Sequence, residues 1–260
     1  MNKSANQIKP LLAELKLKFI AETLDEIMLD TSASDKPYSE YLYDLLDMEI
    51  QHRRSLAIEK RLRVANFPTF DKRLDINRYD FGCRNGVSKR QIIEISNNLI
   101  WIDKAYNIMF LGGSGLGKSF LASYIGYKAI EFGYNVIYIT LHNLTHLLRT
   151  ENALSRSKSK LKRIRNCDLL VLDEVGNASL DRNEANLFFQ LLLDFYQQTS
   201  IIAISNKGFE DWSRTFGDSV GTAAVMDRLL HNCEVFNMSG DSWRIENQKT
   251  ISGHLLKETR

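Results

Sequence analysis

The stretch Phe110-Leu-Gly-Gly-Ser-Gly-Leu-Gly-Lys-Ser119 decides the fold of this chain, because it places Gly-x-x-x-x-Gly-Lys-Ser between an apolar run and a helical pattern. This spacing predicts a P-loop, fed by a strand at residues 106–111. The glycines let backbone N–H groups converge on phosphate oxygens without obstruction by Cβ atoms. A glycine-rich turn that only happens to match the pattern is the alternative interpretation.

The predicted ligand of this loop is ATP with Mg²⁺. Lys118 would reach the β- and γ-phosphates, and Ser119 would offer its hydroxyl to the metal at the positive end of the following helix. The predicted nucleotide-binding residues are Gly112, Gly113, Ser114, Gly115, Leu116, Gly117, Lys118, Ser119 and Phe120.

A pair of carboxylates ends a second apolar run, Leu169-Leu-Val-Leu-Asp173-Glu174. Asp173 would hold Mg²⁺ through its water shell, and Glu174 would polarise the water that attacks the γ-phosphate. A surface acidic pair at a strand end is the alternative, and the P-loop upstream argues against it. The two motifs together predict a Mg²⁺-dependent ATPase.

Three further side chains are candidates for contact with the γ-phosphate region. Asn206 follows the next strand and could orient the attacking water, although asparagine is also a common turn former. Arg228 could enter the site of a neighbouring subunit as a catalytic residue, and Arg244 could contact nucleotide in its own subunit. Solvated or ion-paired side chains are the alternative for both arginines.

Composition limits the classes of function. The chain has 260 residues with 34 Lys and Arg against 32 Asp and Glu, so affinity for nucleic acid would have to come from local clusters of charge. Its three cysteines have no disulfide or zinc spacing. Because no apolar run approaches membrane-spanning length and no signal peptide is recognised, we expect a cytoplasmic protein without a membrane partner.

The pattern of apolar residues predicts an α/β fold in two domains. A helix over residues 8–29 and a second helix ending near Ala65 indicate a helical N-terminal domain at 1–68, followed by an ATPase domain at 69–260. In the second domain we expect a five-stranded parallel sheet with helices on both faces. Its strands are the P-loop strand and the apolar runs at 135–140, 168–173, 200–205 and 233–238. The long connection at 141–166 predicts an extra helix.

Two basic clusters are candidates for binding DNA through its phosphates. One lies on the second N-terminal helix and the other in the long connection, where the alternate spacing over 156–162 suggests a partial loop. The absence of an aromatic ladder favours duplex over single strands, and a solvated helix face is the alternative. The clusters comprise Arg53, Arg54, Lys60, Arg61 and Arg63, and Arg156, Lys158, Lys160, Lys162, Arg163 and Arg165.

Two aromatic residues precede the core of the second domain. Tyr79 and Phe81 could stack on the adenine base, and packing in the core is an equally good interpretation.

With these motifs, nearly the whole chain resembles the IstB family, the ATP-binding helper proteins of insertion-sequence transposition. IstB proteins are related to DnaC helicase loaders and DnaA initiators among the AAA+ ATPases. The resemblance rests on Leu11-Leu-Ala-Glu-Leu15, Arg61-Leu-Arg-Val-Ala-Asn-Phe-Pro68, Leu172-Asp-Glu-Val-Gly176, Ser205-Asn-Lys207 and Asp227-Arg-Leu229, in addition to the P-loop.

The resemblance implies a homo-oligomer with ATP between subunits, assembled on target duplex DNA, that recruits and stimulates an IstA-type transposase. It also implies that the extra helix lines the nucleic acid and that Arg228 is the arginine finger. The chain departs from the related pattern after its last strand, where the few residues beyond Met238 leave no room for a helical lid and weaken the assignment of Arg244.

Two other functions fit the same residues. One is a DnaC-type loader that grips a replicative helicase and prefers single-stranded DNA. The other is an ATP-gated binding module that hydrolyses ATP too slowly to act as an enzyme. Turnover with and without DNA distinguishes the second from the rest.

Overall fold

The structure of the protein, a computed structural model, describes residues 5–31, 36–68, 74–177, 179–216 and 219–243. The chain forms two units, Met1–Lys60 and Arg61–Arg260, and the boundary between them falls within one long helix.

Three helices make up the first unit: α1 (Ala5–Glu14), α2 (Lys18–Thr31) and α3 (Tyr38–Ala65), of which α3 continues into the second unit. The prediction of one helix over 8–29 is wrong, because α1 ends at Glu14 and a separate helix, α2, begins at Lys18. Lys16 has a φ of 59°, in the left-handed region. The N–H groups of Lys16 and Leu17 donate to the carbonyls of Ala13 and Leu12. This pair of bonds is the Schellman motif, which ends a helix whatever the apolar pattern beyond it.

A buried carboxylate organises the first unit. Glu49 of α3 is 4% exposed and accepts the backbone N–H of Ile20, near the start of α2, at 3.1 Å. Arg53 donates from Nε to the same carboxylate at 2.8 Å. Burial opposes the charge of Glu49, but these hydrogen bonds outweigh it and hold the pKa of Glu49 below its usual value. Arg53 therefore has a structural partner inside this unit.

The second unit begins with short elements. After α3 ends at Ala65, Asn66 has a φ of 59°. A 3₁₀ turn (Ile76–Arg78), β1 (Arg84–Asn85), α4 (Lys89–Asn97) and α5 (Ile100–Asp103) follow. Ser88 and Gln91 form a capping box at the start of α4.

The sheet has six strands in the order β1-β6-β2-β5-β4-β3. The remaining strands are β2 (Asn107–Gly112), β3 (Val136–Thr140), β4 (Leu169–Val175), β5 (Ser200–Ser205) and β6 (Cys233–Gly240). Neighbours among β2 to β6 pair in parallel, which confirms the predicted five-stranded parallel core. β1 adds an antiparallel edge that the sequence analysis missed, because two residues are too few to reveal an alternating pattern.

Helices cover both faces of the sheet, as predicted. The helix after the P-loop, α6 (Lys118–Glu131), packs on one face together with α4. Residues of the connecting helices form the apolar core of the other face with side chains such as Met109, Leu170 and Ala203. These helices are α7 (Leu141–Arg149), α8 (Ser155–Arg165), α9 (Arg182–Phe195) and α11 (Ser219–Leu230), with a 3₁₀ turn (Phe209–Asp211) and α10 (Trp212–Phe216) before α11.

The long connection between β3 and β4 contains two helices, α7 and α8, so the predicted extra helix is confirmed. The expectation of a partial loop over 156–162 is wrong, because α8 includes all of these residues. Ser157, Leu161 and Ile164 are buried at helical spacing, and the charges occupy the remaining positions. Three buried residues are therefore enough to hold a helix in which most side chains are exposed.

Candidate active site

The P-loop connects β2 to α6 and curves tightly around its own backbone. Gly115 and Gly117 have φ angles of 82° and 79°. A Cβ atom at Gly115 would lie 2.0 Å from Oγ of Ser242, and one at Gly117 would lie 2.6 Å from the ring of Tyr79. Only glycine fits both positions, which leaves the backbone N–H groups of the loop unobstructed by side chains.

Lys118 and Ser119 are the first residues of α6. The Lys118 side chain is almost fully buried, and its Nζ donates to the carbonyls of Gly112 and Gly113 at 2.7 and 2.6 Å. The ammonium therefore lies within the curve of the loop, at the positive end of the helix. Ser114 and Gly113 are exposed at the tip of the loop, whereas Leu116 is buried beneath it.

Ser119 and Asp173 meet at the carboxyl end of the sheet. The Ser119 hydroxyl donates to Oδ2 of Asp173 at 2.8 Å, so the structure brings together the two residues predicted to hold Mg²⁺. Oδ1 of the same carboxylate accepts the backbone N–H of Glu174 at 2.7 Å. A third donor, the hydroxyl of Tyr138 on β3, also bonds to Oδ2.

Glu174 has an unusual backbone at the end of β4. Its φ of 60° lies in the left-handed region, and the register of β4 against β5 shifts between Leu172 and Val175. A bulge of this kind re-aims a side chain at the end of a strand, and a positive φ at a residue other than glycine costs free energy. The carboxylate of Glu174 is exposed next to the buried end of the strand.

Asn206 follows the strand that lies between the P-loop strand and β4. Its neighbour Ser205 is in register with both Leu111 and Val175, so Asn206 emerges beside the P-loop and beside Glu174. The Asn206 side chain is exposed. The buried hydroxyl of Ser205 donates to the carbonyl of Lys207 at 2.8 Å and closes the turn that carries Asn206.

Arg228 lies at the other end of the sheet. Its guanidinium stacks over the ring of Phe189 at 4.6 Å and donates to the carbonyl of Ala224 at 3.0 Å. The backbone carbonyl of Arg228 accepts a bond from Asn107, the first residue of β2, whereas the P-loop follows the last residue of that strand. Since a strand of six residues spans about 17 Å, Arg228 and Lys118 are separated by the length of β2.

Comparison with known proteins identifies one family over nearly the whole chain. Residues 10–251 match the family described as IstB-like ATP binding protein. The chain belongs to this family. It is 34% identical over 251 residues to an ATP-binding protein of an IS21-like insertion sequence from Bacteroides fragilis, covering 96% of this chain and 94% of that protein. It is 35% identical over 235 residues to the corresponding protein of IS5376 from Geobacillus stearothermophilus, covering 90% and 92%.

Solved structures agree on the fold. The chain is similar to DnaI with a TM-score of 0.54 at 16% identity, over 64% of this chain and 90% of that one. It is also similar to a DNA replication initiation factor with a TM-score of 0.51 at 19% identity, over 65% and 51%. This chain thus has the P-loop α/β fold of these structures, as the resemblance implied.

Tyr79 packs beneath the P-loop of this IstB-like chain. It is 8% exposed, and its hydroxyl donates to the carbonyl of Leu116 at 2.9 Å. Burial raises the pKa of Tyr79 to about 12, so the hydroxyl remains a proton donor. The rings of Phe120 and Phe81 lie 6.2 and 4.5 Å from its ring. Of the two roles considered for Tyr79, packing is the one that these contacts describe.

The six basic residues of the long connection that were predicted to bind DNA lie on α8, and all are exposed. Helical spacing places Arg156, Lys160 and Arg163 on one face. Arg165 differs from them, because both of its terminal nitrogens bond to the carboxylate of Glu151.

The basic residues predicted on α3 are distributed over both units. Arg53, Arg54 and Lys60 are exposed in the first unit, with Arg53 bound to Glu49. In the second unit Arg63 is exposed and Arg61 is half-buried. Arg244, the other predicted nucleotide contact, lies outside the described residues.

Tyr138 is a residue of this site that was not predicted from the sequence. Its ring is 5% exposed on β3, and burial together with the neighbouring Asp173 raises the pKa of Tyr138, which keeps the hydroxyl protonated. The sequence did contain a signal for this residue: Tyr138 carries the only polar side-chain group in the run Val136-Ile-Tyr-Ile139, and a buried hydroxyl needs a partner.

None of the helices in the described ranges has the length and apolar content that crossing a membrane requires.

Proposed function

We propose that this protein is a Mg²⁺-dependent ATPase that assembles on target duplex DNA in its ATP-bound form and recruits an IstA-type transposase. The observation that carries the proposal is the hydrogen bond between Ser119 and Asp173, which joins the P-loop to the end of β4 beside Glu174. Membership of the IstB-like family supports the same conclusion, since its relatives are named as ATP-binding proteins of insertion sequences.

The residues present fit ATP and Mg²⁺. The glycines at 115 and 117 leave no room for a Cβ atom, as expected of a loop shaped for close approach by phosphates. Ser119 and Asp173 supply oxygen ligands of the kind that Mg²⁺ prefers, and this ion usually shares its coordination with phosphates and water. Within the described ranges, no group of three or more His, Cys, Asp or Glu side chains could hold a metal by itself. The pair Ser119 and Asp173 therefore suits an ion that arrives together with the nucleotide.

The position of each residue supports the catalytic role that we propose for it. Lys118 binds phosphate oxygens inside the curve of the loop, and Asn206 orients the attacking water from the adjacent strand. The exposed carboxylate of Glu174 accepts the proton of that water. Bound Mg²⁺ would neutralise charge on the phosphates. The protein therefore contributes positioning and electrostatic stabilisation rather than covalent chemistry.

Arg228 completes the site from a neighbouring subunit. In its own subunit, the residue is separated from the P-loop by the length of β2, and its side chain, with the guanidinium over Phe189, is 25% exposed. An oligomer that places this surface against the next P-loop would join two subunits through the γ-phosphate. ATP then acts as an assembly switch, because hydrolysis removes the charge that Arg228 recognises.

Replacing Arg228 by alanine is expected to lower ATP turnover by about 1,000-fold, since an arginine supplied to the transferred phosphoryl group accounts for a factor of that order. Nucleotide affinity of the isolated subunit should stay within about threefold of the parent, since only the neighbouring subunit's site loses the residue. Turnover is measured by phosphate release, and affinity by anisotropy of a fluorescent ATP analogue.

Mixing two inactive variants tests whether the arginine acts between subunits. Lys118→Ala keeps Arg228 but lacks a working P-loop, and Arg228→Ala has the converse defect. If the residue acts in trans, mixtures of the two recover part of the parental turnover. Mixtures that stay inactive, although the two variants form mixed oligomers through ATP bound to the intact P-loop of Arg228→Ala, would place Arg228 outside the neighbouring site.

DNA binding is proposed for the exposed face of α8. Arg156, Lys160 and Arg163 form a row at helical spacing, with the side chains of Leu161 and Ile164 buried behind it. In the part of the chain that the structure describes, these three basic residues form no ion pair. Rows of unneutralised charge bind the phosphate backbone of DNA without reading its bases.

The experiment that tests the function is binding of the purified protein to labelled duplex and single-stranded DNA with ATP, ADP or no nucleotide, at fixed moderate salt. Cooperative binding to duplex that requires ATP supports the proposal. A preference for single strands would indicate a helicase loader, and the absence of DNA binding in all three nucleotide states would contradict both functions.

A matched pair of arginines tests the role of α8. Arg163→Ala should weaken duplex binding and lower the slope of log K against log salt by about 0.9, the value for one lost phosphate contact. Arg165→Ala should have a smaller effect on both quantities, because Glu151 already neutralises this residue. Equal effects of the two substitutions would exclude the proposed face.

A further inference from the structure

Tyr138 is attached to the proposed metal site without belonging to the P-loop or to β4. It lies on the face of β3 that α6 covers, and its hydroxyl donates to Oδ2 of Asp173. The same oxygen accepts the hydroxyl of Ser119 at 2.8 Å. Two donors from different elements thus converge on one carboxylate oxygen.

These bonds restrain the carboxylate and the serine together. With two donors on Oδ2 and the N–H of Glu174 on Oδ1 at 2.7 Å, rotation of the Asp173 side chain would break several hydrogen bonds. Because Ser119 donates its hydroxyl proton to Asp173, the lone pairs of its hydroxyl oxygen remain available to a cation. The orientation of Ser119 therefore depends on a carboxylate that Tyr138 helps to hold.

The ring of Tyr138 is in turn held by Phe67, two residues beyond the end of α3. The two rings meet edge to face, with centroids 5.9 Å apart and an angle of 65° between their planes. Phe67 also contacts α6 so closely that a Cβ atom at Gly126 would lie 2.9 Å from it. Asn66, with its φ of 59°, turns the chain from the helix into this contact.

We propose that Tyr138 is a positioning residue for Mg²⁺ in the nucleotide site and that Phe67, at the end of α3, sets the metal affinity through Tyr138. The inference rests on the proposed function, since it requires the site to bind Mg²⁺ with ATP. It connects the chain just beyond α3 to the proposed metal site, and both lie within the second unit.

The test is Tyr138→Phe, which removes only the hydroxyl. Binding of a fluorescent ATP analogue is measured in EDTA and then across a Mg²⁺ titration. Affinity in EDTA should match the parent, and the gain in affinity on adding Mg²⁺ should fall about tenfold, as expected for one lost hydrogen bond to a charged group. A purely structural role would change both affinities alike.

Tyr134→Phe is the matched control. Its hydroxyl donates to Asp103 at 3.1 Å, so the substitution also removes one bond between a tyrosine and an aspartate. The two residues precede β3 and β2, at the amino ends of strands whose carboxyl ends carry the proposed site. This variant should keep the parental gain from Mg²⁺. An equal loss in both variants would overturn the proposal.

Phe67→Leu tests the second step and is independent of the hydroxyl. It should reduce the gain from Mg²⁺ by less than Tyr138→Phe does, and the double variant should match Tyr138→Phe alone, because residues that act in series are not additive. Additive losses would mean that Phe67 acts by another route.

The outcomes distinguish failure of the proposed function from failure of the role proposed for Tyr138. A parent protein that binds no nucleotide, or that gains nothing from Mg²⁺, would remove the proposed function. A parent that gains from Mg²⁺ and a Tyr138→Phe variant that gains equally would remove only the role of Tyr138. Thermal unfolding of each variant confirms that the comparison is made between folded proteins.

Discussion

Replacing Lys118 by alanine is expected to lower the affinity for ATP by at least about 100-fold, because it removes a charge that donates to phosphate oxygens in a water-poor site. The Lys118 side chain is 4% exposed, and its Nζ already lies within hydrogen-bonding distance of two loop carbonyls. Little rearrangement is therefore needed for it to meet a phosphate. Titration calorimetry with ATP and Mg²⁺ measures the loss, and the DNA-bound assembly should disappear with it.

Lys128→Ala is the control for this experiment. Lys128 lies on the same helix, in its last turn, and pairs with Glu131 at 2.6 Å. Its removal changes the net charge by the same amount but leaves the P-loop intact, so nucleotide affinity should stay at the parental value. Unchanged affinity in Lys118→Ala itself would contradict the assignment of the P-loop.

Glu174→Gln is expected to lower ATP hydrolysis by about 1,000-fold, within the range for loss of a general base, while ATP binding stays close to the parental value. The amide has the size of the carboxylate but cannot accept the proton of the attacking water. Since hydrolysis is the proposed trigger of disassembly, this variant should remain on duplex DNA with ATP bound. Single-turnover hydrolysis and the lifetime of the DNA complex are the two measurements.

The control for the carboxylate is Glu131→Gln at the far end of α6. It removes one negative charge from an exposed ion pair, so hydrolysis should be unaffected. Hydrolysis by Glu174→Gln at the parental rate would show that another group takes the proton. A DNA complex no longer-lived than that of the parent would separate hydrolysis from disassembly.

The arrangement of the proposed nucleotide site was predictable because its residues belong to short motifs at the ends of apolar strands. Asp173 was assigned from its place at the end of a strand and Asn206 from its place just after one, and parallel strands bring their carboxyl ends to one edge of the sheet. The pairing of β2, β4 and β5 in register confirms that geometry.

Other features depend on contacts between residues far apart in sequence. The hydroxyl of Tyr138 meets Asp173 only because β3 and β4 are neighbours in the sheet. The local sequence indicates a buried hydroxyl that needs a partner, but not which residue that partner is. The break at Lys16 was hidden for a different reason. Apolar spacing continues through it, whereas the left-handed backbone and its two hydrogen bonds interrupt the helix.

The sequence by itself determined the parallel core, the P-loop and the acidic pair, because glycine spacing and strand ends are local properties that a linear pattern records. Only the tertiary structure decided the partners of those groups: Tyr138 beside Asp173, Glu151 on Arg165, and Arg228 at the opposite end of β2 from the P-loop. The physical reason is that hydrogen bonds and ion pairs form between atoms that meet in space, and the strand order of the sheet, not the chain order, decides which atoms meet.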